Sequence, residues 1–122
     1  VAAARSQEKR VDLLRDRARR DIVTLVEQKY RAMEKARDEY ESLDATLELA
    51  GEVVRARTRA FEEGLGTSLE VVDARLGLQG LRLQRLAAAY ACEVALAELL
   101  EAAVDAYRFE SIRARSSMDP EK

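Results

Sequence analysis

Apolar residues recur along the first half of the chain at alternating steps of three and four: Ile22, Val26, Met33, Ala36, Tyr40, Leu43, Leu47, Ala50, Val54 and Phe61. Lys29 and Arg57 are the polar members of this stripe. The spacing is the heptad repeat of a helix packed along one seam. The second half continues it with Leu69, Val72, Leu76, Gln79, Leu83, Leu86, Tyr90, Glu93, Ala97, Leu100, Val104 and Tyr107. The two stripes match in an antiparallel register that sets Phe61 against Leu69, Val54 against Leu76, Leu47 against Leu83, Tyr40 against Tyr90 and Val26 against Val104. Further back, Val11, Leu14, Ala18 and Ile22 shift phase by one step, which reads as a stutter within one helix.

The punctuation between the halves is Glu63-Gly64-Leu65-Gly66-Thr67-Ser68. Gly64 suits the left-handed residue that closes a helix and satisfies its last carbonyls. Thr67-Ser68-Leu69-Glu70 fits a capping box, in which the Thr67 hydroxyl accepts from the Glu70 amide while the Glu70 carboxylate reaches back. Stop followed at once by start predicts an all-α fold, a long antiparallel two-helix coiled-coil hairpin. The hairpin covers residues 1–117, with arm one at about 3–63, a turn at 64–67 and arm two at about 68–115. Residues 118–122 are expected to fray. At 1.5 Å per residue, arms of about 50 to 60 residues extend roughly 75 to 90 Å.

Arm two carries a second stripe on the same spacing: Val71, Ala74, Leu78, Leu81, Ala88, Cys92, Ala95, Leu99, Ala102, Ala106 and Phe109, interrupted only by Arg85. On a helix it lies roughly opposite the first. A helix apolar on two opposite sides is packed on both, as in a wall of helices standing side by side. The first stripe is expected to face arm one and the second to face a neighbour. Between them runs a small or acidic row that includes Glu70, Asp73, Gly77, Gly80, Glu98, Glu101 and Asp105, suited to a water-filled interior. In that setting Gly77 and Gly80 admit close approach of a neighbouring helix. Arm one repeats the two-sided pattern only near the turn, through Ala45, Leu49, Ala56 and Ala60.

Composition narrows the classes. Five glycines, one proline and 5% aromatic residues leave little for β-sheet turns and strands. With no histidine, there is no nucleophile–base pair of the usual kind and no Glu-x-x-His metal motif; the sequence also holds no Gly-rich phosphate loop, so neither an enzyme nor a cofactor is expected. A net charge of −2 argues against nucleic-acid binding. The longest uncharged run, Leu86 to Cys92, is too short for a membrane-spanning helix. The single cysteine, Cys92, reads as a small packed residue. The chain opens Val-Ala-Ala-Ala-Arg and reads as an excised piece.

At the turn the residues become specific. Phe61, Gly64, Ser68, Glu70, Val72, Asp73 and Ala74 resemble the hairpin signature of TolC-type outer-membrane efflux proteins: an aromatic, three residues, Gly, a short polar turn, then an acidic-Val-Leu-Asp-Ala run. Downstream, Ala88-Ala89-Tyr90 and the stretch from Ala95 to Ala102 look like that family's returning helix. The resemblance covers most of this chain but about a quarter of a family member, without the barrel strands. It implies a trimeric channel whose helical cylinder crosses the periplasm, with this hairpin lining the export duct and its turn (Phe61, Gly64, Gly66, Thr67, Ser68) at the periplasmic entrance. The implied partners are further copies of the chain, a periplasmic adaptor and an inner-membrane pump; the implied location is the periplasmic portion of an outer-membrane protein. By position, Glu70 and Asp73 would ring the entrance. Gly66 stands where a basic residue often helps close it, and Val104 where a Gly often ends the second helix. Two other classes share the pattern: a stand-alone structural or regulatory hairpin forming a four-helix dimer, and the hairpin of an adaptor protein.

Overall fold

The computed structural model describes residues 1–118, and of the expected frayed tail only Met118 falls within them. The chain is all-α: helix α1 spans Ala2–Glu62, helix α2 spans Ser68–Ser117, and a short turn joins them. The composition explains the length of both helices, since Ala, Leu, Glu and Arg propagate a helix well and no proline interrupts either one. Pairs one turn apart, such as Arg37 with Glu41 at 2.8 Å and Arg55 with Glu52, line the solvent side of α1.

Two compact units are distinguished. In the turn-proximal unit, Glu34–Val94, the α1 seam is the expected one. Ala36, Tyr40, Leu43, Leu47, Ala50 and Val54 are half-buried, and Thr58 and Ala60 extend the line toward the turn. Thr58 is tied down by donating its hydroxyl to the Val54 carbonyl at 2.8 Å. Phe61, assigned to the seam by its spacing, is 47% exposed and lies off it.

On α2 the expectation is reversed. The face against α1 is the stripe of Val71, Ala74, Leu78, Leu81, Arg85, Ala88 and Cys92. Val71 is 7% exposed, and it and Ala102 are the only buried residues among those described. The stripe expected to face α1 stands open, with Leu69, Leu76, Leu83, Leu86 and Tyr90 between 65% and 73% exposed. Tyr40 therefore does not meet Tyr90; it lies under Arg85 instead. Two stripes of equal period cannot be ranked by spacing, and this face is the one that brings Arg57 to Glu70 and Arg85 to Asp44 across the helices.

The second unit joins Val1–Met33 to the stretch of α2 from Ala95. It repeats the inversion: Ala95, Leu99, Ala102, Ala106 and Phe109 are covered, while Leu100, Val104 and Tyr107 are exposed. The covered α1 positions are Ala18, Ile22, Val26, Lys29 and Met33. Val11 and Leu14, which the stutter placed on the seam, are 45% and 56% exposed. Lys29 is answered across the helices by Glu98 at 2.7 Å, and Arg19 by Glu110 at 3.0 Å.

Candidate functional site

The turn is built by two interlocking caps. Gly64 adopts φ of 73°, which an L side chain resists. That conformation lets the Leu65 amide donate to the Ala60 carbonyl at 2.8 Å and the Gly64 amide donate to the Phe61 carbonyl at 3.0 Å, the paired bonds of a Schellman motif. Helix α2 then starts through the box that its residues predict. The Thr67 amide donates to Glu70 Oε2 at 2.9 Å, and the Glu70 amide donates to Thr67 Oγ1 at 3.3 Å. Ser68 is the first helical residue and is exposed.

Glu70 has a second partner that spacing alone did not reveal. Arg57 of α1 donates from Nη1 to Glu70 Oε1 at 3.3 Å. The two residues stand on opposite sides of the turn, so one carboxylate both caps α2 and binds it to α1. The Thr67 amide, and after it the Arg57 charge, hold the Glu70 carboxyl below its ordinary value of 4.5. Gly66 makes room for this arrangement. A Cβ there would come within 3.2 Å of Glu70 Oε2 and 3.4 Å of the Ala60 Cβ. Arg57 is thus the cation that meets Glu70 at the turn.

Asp73 lies one turn further along α2, exposed and without a hydrogen bond or ion pair among the described residues. Within this chain the two carboxylates expected to act together therefore differ: Glu70 is committed to the fold, Asp73 is free. The acidic row divides in the same way, with Glu98 held by Lys29. The signal for these pairs was present in the sequence as Lys29 and Arg57, the two cations within the α1 heptad stripe, and each is answered from α2.

The open stripe of α2 is the other candidate surface. Gly77 and Gly80 lie near it with nothing within 4 Å of a Cβ built on either, so α1 is not the helix they would admit. Among the described residues no group of His, Cys, Asp and Glu is placed to hold a metal, and no helix is long and apolar enough to cross a membrane. A cleft of about 550 Å³ lies far along the sequence from the turn, lined by Arg15, Arg19, Phe109, Ile112 and Arg113 among others. Its cations are already paired, Arg15 with Asp12 and both Arg19 and Arg113 with Glu110. Comparison with protein-family models, curated protein sequences and solved structures finds no match to this chain.

Proposed function

We propose that the chain is a periplasmic hairpin of a TolC-type export channel, a non-catalytic wall element whose turn borders the entrance. The observation that carries the reading is the open face of α2. A helix whose larger apolar side stays exposed after its own partner has packed is built for a second neighbour. Leu69, Leu76, Leu83 and Leu86 give that neighbour a heptad seam within the turn-proximal unit, and a side-by-side wall of helices supplies one. The tip residues resemble the channel family at the same end. On this reading the trimer, the adaptor and the pump are the partners, and the outer membrane is reached through parts of a longer protein.

Asp73, not Glu70, is then the entrance carboxylate with charge to spare. A ring of such groups around a symmetry axis attracts cations and repels anions. The test is the full-length protein carrying this hairpin, fractionated from cells and reconstituted in a planar bilayer. The reading requires an outer-membrane trimer whose cation selectivity falls with Asp73→Asn and falls less with Glu70→Gln. A water-soluble dimer that buries the open stripe and forms no channel would replace it with the stand-alone four-helix reading.

A further inference from the structure

Helix α2 offers α1 two apolar faces of the same spacing, and hydrophobic area alone favours the one that is left open. The open face holds Leu69, Leu76, Leu83 and Leu86, while the covered one is thinned by Ala74 and Ala88 and interrupted by a guanidinium. We infer that the cluster of Arg85, Asp44 and Tyr40 is the key that selects which face of α2 is covered. Arg85 is the one charged member of the covered stripe. Its Nε donates to Asp44 Oδ1 at 2.6 Å, and its guanidinium carbon lies 4.7 Å from the centroid of the Tyr40 ring. A planar guanidinium binds a carboxylate along its edge and an aromatic ring on its face at the same time, which the point charge of a lysine does less well.

The opposite face has no equivalent. In the register that sets Tyr40 against Tyr90, Asp44 comes opposite Leu86, and Arg85 points away from α1. A carboxylate set against a leucine loses its partner and part of its water. A single polar residue in a helix seam selects one pairing over its competitors in this way. The pair is half-exposed, with 39% and 57% of the two side chains accessible, so its contribution to overall stability is small. Selection requires only a difference between two arrangements. The open face is then reserved for another helix because α1 is keyed to its opposite.

The test is thiol cross-linking in the full chain with Cys92→Ser as background. Leu47→Cys is combined either with Leu81→Cys on the covered face or with Leu83→Cys on the open one. The parent chain should cross-link through Leu81→Cys. Arg85→Asp, which turns the contact with Asp44 into a repulsion, should shift the ratio of the two products about tenfold toward Leu83→Cys, the scale of one partly exposed ion pair plus one cation–π contact. Adding Asp44→Arg to Arg85→Asp should restore the original ratio. If Arg85→Asp loses helicity, Arg85→Leu provides the reading without repulsion, and the ratio should again move toward Leu83→Cys. An unchanged ratio in Arg85→Asp, or in Arg85→Leu where the first variant is unfolded, would show that the turn alone sets the face and would overturn the inference.

Discussion

The two faces of α2 carry apolar residues at the same intervals, yet one is covered by α1 and the other is bare. The covered face is the smaller in apolar area, which shows that area is not what decides helix pairing here. What distinguishes it is polar matching. Three cations are answered across the helices: Lys29 by Glu98, Arg57 by Glu70, and Arg85 by Asp44 and Tyr40. The polar interruptions of the open face, Gln79 and Glu93, have no partner among the described residues. One face is finished within the chain, and the other is left open by it.

The largest effect that separates the faces should come from the covered leucines. Replacing Leu78 and Leu81 by Gln removes half-buried apolar surface from the seam and places amides in it. The cost should be about 2 to 3 kcal/mol in total. Urea unfolding followed by circular dichroism should show a much earlier midpoint for this variant than for the equivalent Leu83→Gln and Leu86→Gln pair. Equal losses for the two pairs would erase the distinction between the faces.

Smaller effects are expected at the tip, where the two caps close α1 and start α2. Gly64→Ala places a Cβ on a residue held at φ of 73°, costing roughly 1 to 2 kcal/mol. Thr67→Ala removes the hydroxyl that accepts from the Glu70 amide, costing about 1 kcal/mol. Thermal unfolding should order the two variants in that sequence. Leu65→Ala, at an 80% exposed position of the same turn, should change little.

The smallest effect is a pH dependence. The Glu70 carboxyl is held below 4.5 in the folded chain by the Thr67 amide and Arg57. The folded state therefore binds its proton less readily than the unfolded state does. Its contribution is fully present above pH 4.5 and is lost as the pH falls through the lower, folded value. Urea midpoints compared at neutral pH and below pH 4.5 should fall less on acidification in Glu70→Gln than in the parent chain. A variant with the parent's full acid sensitivity would place the dependence elsewhere.

The helices, their ends and the turn were legible because each rests on local chemistry. Gly64, Thr67 and Glu70 act on neighbours within a few positions, and the heptad spacing marks a seam wherever it falls. The orientation of α2 was not legible from spacing, since two stripes with the same repeat cannot be ranked by period. Ranking them by size gives the wrong answer, since the larger stripe of Leu69, Leu76, Leu83 and Leu86 is the one left open. The cross-helix ion pairs carried the missing information. Glu70, Asp44 and Glu98 accept from Arg57, Arg85 and Lys29 across the seam when the Val71 to Phe109 stripe faces α1. Phe61 was misplaced for a related reason: the caps at Gly64 and Thr67 end the seam at Thr58 and Ala60, so the heptad does not extend to the turn.

The most direct measurement of the central claim is sedimentation equilibrium of the chain beside its Leu76→Gln, Leu83→Gln and Leu86→Gln triple variant. An apolar stripe of this exposure should make the parent chain associate as its concentration rises. The triple variant should stay monomeric over the same range with its helical circular dichroism kept, because those three leucines are 65% to 69% exposed and bury little within the chain. A parent chain that remains monomeric, or a triple variant that loses its helices, would contradict the assignment of that face to an outside partner.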